Sequence, residues 1–97
     1  MKTAPAPPWA TTGRLYVILT LVGAEVIRAQ QKFPPYHSAH EGSSIIREEF
    51  EELWDEVKNN KAEGAAARQM QEALQVAATA IRFIYDLGTP ILTEIQP

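Results

Sequence analysis

Residues 65–87 read AAARQMQEALQVAATAIRFIYDL. No glycine or proline interrupts them, and alanine, leucine, glutamine, methionine and arginine are strong helix formers. At 100° per residue, Met70, Leu74, Ala77, Ile81, Ile84 and Tyr85 share one face, while Val76, Ala80 and Phe83 form a second. A helix that is apolar over most of its circumference is buried on both sides. Ala77, Ala78 and Ala80 permit close helix approach. Gly64 marks the turn before this helix, and Gly88 stands as its C-terminal cap with Pro90 just beyond. The remaining sequence supplies two more helices, too few to cover both sides within one chain. The spacing therefore predicts an all-α, three-helix subunit that completes a four-helix-type bundle core by homo-oligomerisation, as a homodimer or homotetramer.

Upstream, Ser43 or Ser44 is the expected cap of a second helix that ends near Asn59-Asn60, with the segment from Phe33-Pro34-Pro35-Tyr36 through His40 read as a loop. A first helix is expected from about Gly13 to Lys32, with Thr11 or Thr12 as cap. Its apolar run from Leu15 to Ala24 is too short to span a bilayer, which takes about 20 apolar residues. The helical period of Leu15, Ile18, Leu19, Val22, Val26 and Ile27 favours a core helix over a signal peptide. Residues 1–10 carry Pro5, Pro7 and Pro8 and read as an extended arm; residues 11–97 form the single all-α domain.

The composition sets further bounds. At 45% hydrophobic and 22% charged, the chain is globular rather than disordered. A domain of 97 residues has a thin core, and without cysteine it gains neither disulfide nor thiolate metal site. The net charge of −3 and the lack of a basic stripe exclude a nucleic-acid partner. No membrane partner is expected either, and the expected location is cytoplasmic.

The acids are the chemically informative residues. On the second helix Ile46, Phe50, Leu53 and Val57 make the apolar face, and Glu49, Glu52 and Glu56 run along its border. Glu48, Glu51 and Asp55 point further out, as a solvated face does. Border carboxylates repel one another at greater cost than exposed ones, and a hard divalent cation relieves that repulsion. Glu72 lies within the apolar third helix, where it needs a cation, an amide, a proton or an ion pair with Arg68 one turn before it.

These residues carry a resemblance. Glu48-Glu49-Phe50-Glu51-Glu52-Leu53 followed by Glu72-Ala73-Leu74-Gln75 resembles the paired acidic motifs, E-E-x-x-E and E-x-x-D, of the MazG-like all-α nucleoside triphosphate pyrophosphohydrolases. Glu25 to Arg28, Gln31 to Phe33, His40 to Gly42, and Arg82 to Ile84 with Asp86 are similar to the short phage and bacterial branch. The likeness spans about residues 15 to 87.

The resemblance implies an enzyme that converts a (d)NTP and water to the (d)NMP and pyrophosphate, with Mg²⁺ (or Mn²⁺) as cofactor and a nucleoside triphosphate as substrate, in nucleotide-pool house-cleaning. Glu49 and Glu52 match the acids of the first motif, and Glu72 matches the first acid of the second. Gln75 stands where the pattern has Asp: it offers a carbonyl oxygen without charge, and Glu56 is the residue placed to compensate. Glu48 or Glu49 is the expected base toward water. Lys32 and Arg82 are the expected phosphate contacts. Trp9 and Tyr36 are candidates to stack on a base, while His37 and His40 lack zinc-site spacing. Two other classes fit the same sequence: a non-catalytic helical oligomer that binds nucleotide or protein, and an amphipathic module that pairs with a different chain.

Overall fold

The computed structural model describes residues 5, 7 and 11–88. The expected arm, except Pro5 and Pro7, and the segment 89–97 lie outside the described residues, Trp9 among them. The described chain is all-helical, with α1 at Thr12–Lys32, α2 at Ala39–Lys58 and α3 at Ala65–Leu87, and no strand among the described residues. None of these helices is long and apolar enough to cross a membrane.

α1 and α3 begin and end close to the expected positions. Thr11 caps α1 by its extended backbone alone, without a side-chain hydrogen bond. Gly64 precedes α3 at φ +75°, in the left-handed region that favours glycine. Gly88 closes α3 through its N–H, which donates to the Ile84 carbonyl at 2.8 Å.

α2 departs from expectation. It starts at Ala39, so the stretch around His40 is helix rather than loop, and the cap is Ser38 instead of Ser43 or Ser44. The Ser38 hydroxyl accepts from the Glu41 N–H at 3.1 Å. Ser43 and Ser44 lie within the helix and donate back to the His40 carbonyl at 3.1 and 2.9 Å. The local signal is Ser38-x-x-Glu41, in which the serine satisfies the Glu41 amide while the Glu41 carboxylate turns to His37.

α3 is the common wall of the fold. α1 and α2 each pack on it, and no Cα of α1 comes within 8 Å of one in α2. The small core joins Val22 and Val26 of α1 to Ala78 of α3, flanked by Leu74 and Ala77. Of the apolar face expected on α1, only Val22 and Val26 are buried within one subunit, because every residue from 12 to 21 is exposed and Ile27 is too. On α3, Met70, Ile81, Ile84 and Tyr85 are likewise exposed, as are Phe50, Trp54 and Val57 on α2.

The segment between α1 and α2 is strapped onto the far end of α3. The Tyr36 N–H donates to Asp86 Oδ2 at 3.0 Å, and its hydroxyl donates to the Thr79 carbonyl at 3.4 Å. Arg82 donates from Nη2 to the Pro34 carbonyl at 3.2 Å and lies 4.6 Å from the centroid of the Tyr36 ring. Gly42 completes this packing: a Cβ there would sit 2.6 Å from Phe83 and 2.9 Å from Tyr36 side-chain atoms. Alanine's helix preference of about 1 kcal/mol works against that clash. Overpacking costs about 1–3 kcal/mol, so Gly42→Ala is expected to lower the denaturation midpoint, as chemical unfolding would read.

Candidate metal centre and the cavity beside it

Helical spacing puts Glu49 and Glu52 one turn apart on α2, and the packing of α2 on α3 brings Glu72 to them. One carboxylate oxygen from each of the three lies within 4.8 Å of the others. Glu49 and Glu72 are part-buried and Glu52 is exposed. Arg68 does not neutralise Glu72; it pairs with Glu56 at 2.8 Å.

Such crowding holds protons. Burial, the neighbouring Glu52 carboxylate and its hydrogen bond, then Glu72 and Glu48, push the Glu49 carboxyl from 4.5 to about 7. Burial and Glu52 raise Glu72 as well, with a smaller push from Glu56. The donor set suits a hard cation, since all three ligands are carboxylate oxygens. Octahedral Mg²⁺, with bonds of about 2.1 Å, sets neighbouring oxygens about 3 Å apart and opposite ones about 4.2 Å apart.

A pH effect follows from the raised carboxyls. Between about 4.5 and about 7 the folded chain keeps a proton on Glu49 that the unfolded chain has lost. Stability therefore falls as pH rises through that window, by about 2 kcal/mol after allowance for solvent screening. A divalent cation that replaces the proton is expected to reverse the trend. Denaturation midpoints near pH 5 and pH 7.5, with chelator or with Mg²⁺, check both signs.

The other expected site residues divide. Gln75 follows Glu72 by one turn, but its amide turns to α1 and donates to Glu25 Oε1 at 2.8 Å. Glu25 is also held by Arg28, whose Nε donates to Oε2 at 3.0 Å and whose Nη2 bonds Oε1. The Arg28 hydrogen bonds lower the Glu25 pKa, against the effect of burial. Aspartate at position 75 would set a second negative charge against Glu25, whereas glutamine supplies a donor. Glu56 is engaged with Arg68. Lys32 is exposed in the last turn of α1. His37 bonds Glu41 through Nδ1 at 3.0 Å.

Beside the triad lies a cavity of about 350 Å³, walled by all three helices and by the strap. Glu48 and Glu49 line it from α2, Glu25 from α1, and Gln75 and Arg82 from α3. Arg82 is only 5% exposed, and its Nε has no hydrogen-bond partner. It follows Glu72 by ten residues, about 15 Å along the helix axis, which sets it at the end of the cavity away from the triad. Tyr36 is buried, with one ring face taken by Arg82. Sequence reasoning singled out Glu25 and Arg28 only for their likeness and gave them no role in the site, missed Ser38, and placed neither Tyr36 nor Arg82 in the strap. Comparison with protein-family models, curated proteins and solved structures gives no match to this chain.

Proposed function

We propose that this chain is a metal-dependent nucleoside triphosphate pyrophosphohydrolase of MazG-like type that cleaves a (d)NTP to (d)NMP and pyrophosphate in cytoplasmic nucleotide-pool house-cleaning. The observation that carries the reading is the meeting of Glu49, Glu52 and Glu72 from two helices, with Glu49 also lining a ligand-sized cavity. These three carboxylates would hold Mg²⁺ or Mn²⁺, which neutralises phosphate oxygens and acidifies water. Glu48, exposed beside Glu49 at the cavity edge, takes the proton of the attacking water. The water oxygen bonds to the α-phosphorus as the bond to the bridging oxygen breaks, and pyrophosphate leaves. Arg82 adds positive charge to the cavity wall, with no carboxylate in ion-pair range among the described residues. Lys32 is available from solvent.

The same reading includes a homodimer or homotetramer. Its support is the apolar surface that one subunit leaves open on α1, and at Met70, Ile81 and Ile84 of α3. A second copy laid against these faces would complete the four-helix core.

The test is incubation of the purified chain with each (d)NTP and Mg²⁺ while pyrophosphate is measured, together with its mass in solution. Metal-dependent release from an oligomer supports the proposal. No release with any nucleotide overturns the enzyme, and a monomer overturns the assembly. One observation favours a second reading, a helical oligomer that binds nucleotide without turnover: Gln75 faces Glu25 instead of adding charge to the triad.

A further inference from the structure

Glu25 lines the cavity and has acceptor capacity to spare. An ionised carboxylate accepts about four hydrogen bonds and donates none. Three of these are filled by Arg28 Nε, Arg28 Nη2 and Gln75 Nε2. The Glu25 side chain keeps 14% of its surface accessible, and it lines the cavity. The remaining acceptor position suits one more N–H. Arg82 also lines the cavity, with its Nε covered by protein and its Nη2 given to the Pro34 carbonyl. A partly enclosed space with one acceptor to spare and the aromatic side chains of Phe33 and Tyr36 in its wall fits a flat heterocycle better than an aliphatic chain or a bare anion.

We propose that the cavity receives the nucleobase of the ligand, and that Glu25 determines specificity by accepting an N–H from the edge of that base. The proposal takes its choice of ligand from the triphosphate reading, but it requires neither metal nor turnover. Neutral Gln75 and cationic Arg28 keep Glu25 ionised and aimed, so the acceptor is present before the base arrives. A base without an N–H on that edge leaves a part-buried carboxylate facing a methyl group, and a site built around a hydrogen bond rejects such analogues strongly.

The experiment titrates the metal-free full chain with nucleosides that carry no phosphate, following the Gln75 side-chain amide and the Arg28 Nε–H by ¹H–¹⁵N NMR. Cytidine is compared with N4,N4-dimethylcytidine, uridine with 3-methyluridine, and adenosine with N6,N6-dimethyladenosine. At least one parent nucleoside is expected to shift both signals and to bind about tenfold or more tighter than its methylated counterpart. In Glu25→Gln, which preserves shape, that gap is expected to shrink to about twofold. No shift with any nucleoside overturns the proposal, as does a gap that persists undiminished in Glu25→Gln, which would assign it to methyl bulk. Pyrophosphate release without nucleoside binding would sink this proposal alone. Nucleoside selectivity without release would sink the hydrolase reading alone.

Discussion

Glu72→Gln is expected to weaken Mn²⁺ binding by about a hundredfold and to remove metal-dependent pyrophosphate release. Glutamine keeps the volume and one carbonyl oxygen, so packing on α3 is preserved while a charge leaves a three-carboxylate site. Glu52→Gln acts in the same direction, because its carboxylate raises both Glu49 and Glu72. Metal-free stability separates ligand loss from misfolding. Removing one of three mutually repelling acids is expected to raise the midpoint of the chelated protein near neutral pH, by about 1 kcal/mol. A variant that loses metal affinity yet gains metal-free stability has lost a ligand and kept its fold. Glu51→Gln, on the exposed side of α2, is the control and is expected to alter neither quantity. Calorimetric Mn²⁺ titration and urea unfolding provide the two measurements; unchanged affinity in Glu72→Gln and Glu52→Gln would remove the metal centre.

Arg82→Ala is expected to produce the largest stability loss among single changes, about 2–4 kcal/mol. One guanidinium bonds the Pro34 carbonyl, stacks on Tyr36 and lies 5.9 Å from the centroid of the Phe33 ring. Truncation removes the charged hydrogen bond, the cation–π contact and the packing of the side-chain stem together. In a domain whose core is Val22, Val26 and a few alanines, losses of this size approach the total stability of a small fold. Lysine is not expected to rescue it, because an ammonium cannot both stack flat on the ring and donate to the carbonyl. Thermal unfolding of the alanine and lysine variants reads this directly, and near-native melting of either would show that the strap does not depend on Arg82.

The helices were legible because their signals are local. The uninterrupted run from Ala65 to Leu87, the Pro34-Pro35 stop and the turn at Gly64 act within a few residues, and α3 has the ends they imply. The start of α2 was misplaced, although Ser38 and Glu41 carry a local signal for it, because two later serines offered the same capping chemistry. The acidic triad was readable in part: periodicity aligns Glu49 with Glu52, and the approach of Glu72 depends on how α2 lies on α3. Pairings between distant residues leave no periodic trace. Gln75 with Glu25 and Tyr36 with Asp86 each span 50 positions, and Arg82 with Pro34 spans 48. A lone arginine on a helix therefore suggests a surface charge until the loop that covers it is known. Burial on α1 was misjudged within the subunit for a similar reason, since an apolar stripe records a preference for cover and not its source.

α1 and α2 lean on α3 with their backbones apart from each other. Whatever sits between Glu25 and Glu49 becomes a bridge between two elements otherwise joined only by the strap and by their shared wall, α3. Occupancy then has a cost and a reward in chain entropy, since it stills the lean of α1 against the bundle. Its signature would be slower amide exchange along the C-terminal half of α1 when the cavity is filled, with α2 less affected. A second ligand entering the already stilled cavity region would bind more tightly without any change of shape.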